Sequence, residues 1–73
     1  MDEIRAPEGG TIVEVPVGEG QMVAEEDEIV RLRTRDGNDL VVITAVPGVV
    51  RELYVTRGAV VVAGDPLAAI DES

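Results

Sequence analysis

The 73-residue sequence contains no lysine, histidine, cysteine, tryptophan or phenylalanine; its six basic residues are all arginine, and its single aromatic is Tyr54. A chain without cysteine or histidine has no zinc site of the usual kind, no thiol nucleophile, no imidazole base and no disulfide framework. Lysine chemistry is excluded in the same way, whether a Schiff base, acetylation or an amide-linked prosthetic group. The one serine, Ser73, is the last residue of the sequence. This inventory argues against an enzyme, and the expectation is no metal and no cofactor.

Positive charge is scarce as well. Six arginines against fifteen acidic residues leave a net charge of −9. That charge repels phosphate backbones and anionic headgroups, and one aromatic provides no stacking platform for bases, so nucleic acid is a poor partner. The residues Met1-Asp2-Glu3-Ile4-Arg5 lack the basic start and apolar run of a signal peptide. No apolar stretch approaches the roughly 18 residues of a membrane span. The expectation is a cytoplasmic protein without membrane insertion. Hydrophobic residues make up 45% of the chain, enough for the core of one small acidic domain over residues 1–73. A domain of this size buries only about 60% of its unfolded surface, so its stability is modest or shared with a partner.

What is present is periodic. Shifted by 38 positions, Gly10 falls on Gly48, Glu14 on Glu52, Val17 on Val55, Gly20 on Gly58, Val23 on Val61 and Asp27 on Asp65. Ile12, Val15, Ile29 and Leu32 fall on Val50, Leu53, Leu67 and Ile70. The chain therefore reads as two copies of one unit, residues 10–32 and 48–70. Valines and isoleucines between regularly placed glycines give each copy the pattern strand, turn, short strand, turn, strand, and no window supports a helix. Val15 and Val17 share one parity and Ile12 the other, and the same change recurs in the second copy. A β-bulge is expected near Val13 and Glu14, and another near Arg51 and Glu52. Pro16 belongs at an edge or bulge, because it cannot donate to a central ladder. Two related strand sets predict two facing sheets with a pseudo-twofold axis, a small all-β sandwich or flattened barrel. Between the copies, Asp36-Gly37-Asn38-Asp39 joins two strand-like runs, and its residue types tolerate positive φ. A tip hairpin is expected over residues 35–39, facing away from the chain ends.

These residues resemble the biotinyl and lipoyl carrier-domain family over nearly the whole chain. Ala6-Pro7-Glu8-Gly9-Gly10-Thr11-Ile12 is similar to its opening segment. Gly48-Val49-Val50, Leu53, Val55, Gly58, Val61, Gly64-Asp65, Leu67 and Ile70 follow its closing pattern. The resemblance implies an all-β flattened barrel or sandwich of two four-stranded antiparallel sheets with an internal pseudo-twofold repeat, and a lysine in the tip hairpin. Here Thr34-Arg35-Asp36-Gly37 falls over that motif, and Asp36 takes the lysine position. A carboxylate cannot be acylated by ligases that form an amide with a lysine amine, so the resemblance is to a carrier that cannot be charged. Glu26 also departs from the pattern. It stands where Gly64 stands in the second copy, and a remodelled turn or about 1 kcal/mol of backbone strain is expected there.

Other local features are weighed against ordinary surface. Arg31, Arg33 and Arg35 alternate on a strand and share a solvent face, either as an anion-docking stripe or as a face neutralised by Glu25, Glu26 and Glu28. The acidic runs at 25–28 and 36–39 lack the spacing of a calcium loop and read as turns. With Val61 inward, Val60 and Val62 point outward beside Ala63, and their repeat partners Met22 and Ala24 are apolar too. This exposed set is the candidate interface, for self-association or for docking to a larger protein. Tyr54 reads as packing across a sheet face. The leading expectation is a lysine-free protein-interaction or assembly module, with transport complexes among its candidate settings. The alternative is an accessory or decoy subunit of a biotin-dependent carboxylase or 2-oxo acid dehydrogenase. A small-molecule binder is least favoured, because few polar groups converge.

Overall fold

Short runs of β-branched residues punctuated by glycine and Asp-Gly leave little choice but strands and tight turns. The computed structural model describes residues 1–72; Ser73, the only serine, lies outside the described residues. Its strands are β1 (Asp2–Arg5), β2 (Gly10–Glu14), β3 (Met22–Val23), β4 (Glu28–Thr34), β5 (Asp39–Ile43), β6 (Gly48–Leu53), β7 (Val60–Val61) and β8 (Pro66–Asp71). They form two antiparallel four-stranded sheets, ordered β1-β8-β6-β3 and β5-β4-β2-β7. The fold is the all-β flattened barrel expected from the repeat.

Moving 38 positions along the chain carries β1 to β4 onto β5 to β8. The correspondence thus reaches β1 and β5, which the boundaries 10–32 and 48–70 omit. The register shifts between Ile12 and Glu14 against β4, and between Val50 and Glu52 against β8, where bulges were expected. Pro16 lies in the connection after β2, outside any strand. Inward residues from both sheets make one core, including Ile12, Ile29, Leu32, Val50, Leu67 and Ile70, each almost completely buried. β1 and β8 bring both ends of the described chain into one sheet, while the β4–β5 hairpin belongs to the other.

The turns repeat bond for bond. Gly64 N donates to Ala6 O at 2.8 Å, and Glu26 N donates to Thr44 O at 2.8 Å. Asp65 Oδ2 accepts from Val62 N at 3.0 Å, and Asp27 Oδ2 accepts from Ala24 N at 2.8 Å. Glu26 adopts φ 73° and Gly64 φ 91°. The first turn is therefore not remodelled, and Glu26 carries the left-handed conformation itself. The carboxylate of Asp27 and the strand pairing around the turn fix the local backbone, which overrides the residue's own preference.

Candidate functional site

The tip is built by the end of β4. Gly37 N donates to Thr34 O at 3.0 Å and Thr34 N to Asn38 O at 2.8 Å, closing a tight turn over residues 34–37. Gly37 has φ 87°. This is the turn-plus-left-handed-residue arrangement common in short hairpins. Of the tip residues whose types tolerate positive φ, Gly37 alone adopts it. Thr34 is buried and its Oγ1 accepts from Asn38 N at 3.3 Å, which anchors the loop. Arg35 and Asp36 stand exposed at the apex, and among the described residues neither forms an ion pair.

The arginine stripe divides by residue. Arg31 and Arg33 point outward from β4 between buried Val30, Leu32 and Thr34, whereas Arg35 has moved into the turn. Arg31 reaches Glu14 at 3.6 Å and Glu28 at 3.5 Å. Arg33 donates to Asp39 at 2.9 Å and 3.4 Å. Of the acids expected to neutralise the stripe, Glu28 does so, but among the described residues Glu25 and Glu26 form no ion pair with it. Their place is taken by Glu14 and Asp39, which sit across from Arg31 and Arg33 in the two neighbouring ladders. The hydrogen bond from Arg33 holds the Asp39 carboxyl below the usual carboxylate range and raises the guanidinium's own pKa.

The apolar candidates do not form one patch. Val60 is 78% exposed on β7, at one edge of its sheet, with Val62 and Ala63 just beyond. Met22 is equally exposed on β3, at the edge of the other sheet, with Ala24 beyond it. Val62 instead meets the tip, lining a shallow depression with Glu8, Gly9, Thr34, Arg35 and Asp36. A second open groove runs along the β2–β3 and β6–β7 connections, where Val15 and Val17 meet Leu53, Val55 and Arg57. Tyr54 lies just past β6 rather than within a sheet, and the adjacent Glu52 carboxylate raises its phenol pKa. Among the described residues no three His, Cys, Asp or Glu side chains converge where a metal ion could sit. Nor does any helix there have the length and apolarity to cross a membrane.

The sequence pattern missed two exposed residues, Val41 and Ile43 on β5. Their signal was present: they alternate with buried Val42, and the repeat offset sets them against charged Glu3 and Arg5.

Comparison with solved structures settles the architecture. The lipoyl domain of the 2-oxoglutarate dehydrogenase complex from Azotobacter vinelandii superposes with a TM-score of 0.83 at 26% identity, over 99% of this chain and 98% of that domain. The fold is biotinyl/lipoyl-like. A single-chain, multi-domain long-chain acyl-CoA carboxylase matches 92% of the chain at 33% identity and a TM-score of 0.83. Kluyveromyces lactis urea carboxylase matches 96% at 21% identity and a TM-score of 0.88. The chain spans only 6% of the length of either carboxylase. No family model matches the sequence, and no curated protein does either. In this biotinyl/lipoyl-like barrel the tip hairpin between β4 and β5 carries Asp36, and the 73 residues contain no lysine.

Proposed function

We propose that this chain is a noncatalytic biotinyl/lipoyl-like interaction or assembly module that carries neither biotin nor lipoate and works in the cytoplasm. One observation carries the reading. The apex of the tip hairpin holds Asp36, in a chain without a single lysine. Amide attachment needs an amine nucleophile, and a carboxylate supplies none. The exposed set Met22, Ala24, Val60, Val62 and Ala63, with Arg35 at the tip, then offers contacts for a protein partner.

The matches to two carboxylases favour one second reading. Within such an assembly the module would act as an accessory or decoy subunit, presenting the fixed negative charge of Asp36 where a charged carrier arm docks. Both readings meet one experiment. The purified protein is incubated with a biotin ligase or a lipoate ligase, the acyl donor and ATP, and its intact mass is measured. The expected mass is unchanged, whereas Asp36→Lys gains one biotinyl or lipoyl group. Modification of the unaltered protein would overturn the proposal.

A further inference from the structure

We infer that the free edge of β5 is a strand-addition site for an extended partner segment with an aliphatic centre and basic ends. The inference deepens the interaction-module reading and rests on it.

β5 ends its sheet, so one side pairs with β4 and, among the described residues, the other has no strand partner. The remaining edges are poor templates. β3 and β7 are two residues long, and β1 exposes Glu3 and Arg5, which pair with each other. Charged outward residues are a common way to protect an edge from unwanted pairing. Beyond Asp39 at its start β5 lacks that protection, for Val41 is 52% exposed and Ile43 46%. The repeat supplies an internal control. Position by position, Glu3, Ile4 and Arg5 correspond to Val41, Val42 and Ile43. Ile4 and Val42 are both buried, at 7% and 8%. The inward residue is thus common to both halves, while the outward pair is charged in one and aliphatic in the other. The barrel does not require the aliphatic pair.

Charge selects the occupant. At the Ile43 end, Thr44 N donates to Asp27 O at 3.0 Å and Glu26 N donates to Thr44 O at 2.8 Å, which brings the acidic turn of Glu25 and Glu26 to the end of the strand. At the other end Asp39 is paired with Arg33 and Arg35 stands beside Asp36, so that end carries no acidic excess. A second copy on this edge would bring together two chains of net charge −9 each. That repulsion disfavours self-pairing, whereas a strand with lysine or arginine at its ends meets the acidic turn beside Ile43 in either orientation, and the acidic excess of the whole chain. Main-chain bonds along β5 would supply the register, and aliphatic side chains beside Val41 and Ile43 the contact.

The test uses a synthetic peptide with a Val-Thr-Val-Thr-Val centre and two lysines at each end, titrated into the isotope-labelled protein and followed by amide NMR. The expected result is shifts centred on residues 39–43 and binding that weakens as salt rises. The double variant Val41→Glu with Ile43→Arg copies the β1 pair, so it keeps a dispersed, folded spectrum. It should weaken binding at least roughly tenfold, as the loss of central contacts does in a small interface. A peptide with glutamates replacing the lysines should not bind. Shifts centred elsewhere, or none, would overturn the site. Sedimentation showing a dimer that the double variant dissociates would overturn the occupant in favour of a second copy. Ligase modification of the unaltered protein bears only on the lysine-free reading, and failure of the peptide bears only on β5.

Discussion

Glu26 is the residue at which the chain departs most from its own repeat. At φ 73° it is the only non-glycine residue at positive φ among those described, and its counterpart is Gly64. A left-handed L-residue costs about 1–2 kcal/mol, partly offset because glycine loses roughly 0.5–1 kcal/mol more entropy on folding. Glu26→Gly should therefore stabilise the barrel by about 0.5–1 kcal/mol, read as a rise of several degrees in thermal midpoint. Glu26→Gln removes the charge and keeps the conformation. If the two variants gain equally, repulsion in the acidic turn rather than backbone strain is the cause. The sequence showed that Glu26 was anomalous, but not how the anomaly resolves. The deciding contacts, to Thr44 and through Asp27, come from a hairpin 18 residues away and from a capping carboxylate.

At the scale of elements, the repeat made the layout legible. Glycine spacing, the parity change and the Asp-Gly turn located the strands, the bulges of β2 and β6 and the hairpin, because each is a local consequence of backbone chemistry. What the repeat could not show was which strands end a sheet, since that depends on pairing between halves. The exposed face of β5 and the separation of Met22 from Val60 both followed from that pairing. The paired glycines at the starts of β2 and β6 are also pairing residues. A Cβ on Gly10 would collide with the carbonyl of Arg33, and one on Gly48 with the carbonyl of Asp71. Both obstacles are backbone, so neither can rotate aside. Gly48→Ala should destabilise by about 2 kcal/mol or more by forcing β6 from β8, as strain at a closely packed backbone does. Urea denaturation measures it. A loss below about 0.5 kcal/mol, typical of an innocuous surface change, would show that the two strands separate freely.

For the whole molecule the question is whether charge holds the barrel together or strains it. Among the described residues the five ion pairs are Arg5–Glu3, Arg31–Glu14, Arg31–Glu28, Arg33–Asp39 and Arg51–Asp71, all at the surface. Exposed pairs of this kind contribute about 0–1 kcal/mol each and weaken with salt. Against them stands a net charge of −9 on a body whose radius of gyration is 11.2 Å. The screening length is about 30 Å at 0.01 M salt and falls below about 5 Å near 0.5 M. At low salt every carboxylate therefore feels the others across the barrel, and at high salt almost none do. The pairs are short-range and the repulsion is long-range, so salt removes the repulsion first. The thermal midpoint should rise by several degrees between 10 mM and 500 mM sodium chloride, with potassium chloride giving the same curve because the effect is screening rather than ion binding. A midpoint that falls would mean that the arginine pairs outweigh the acidic excess. The same screening should weaken a lysine-flanked strand on β5, so salt that steadies the free barrel should loosen its complex.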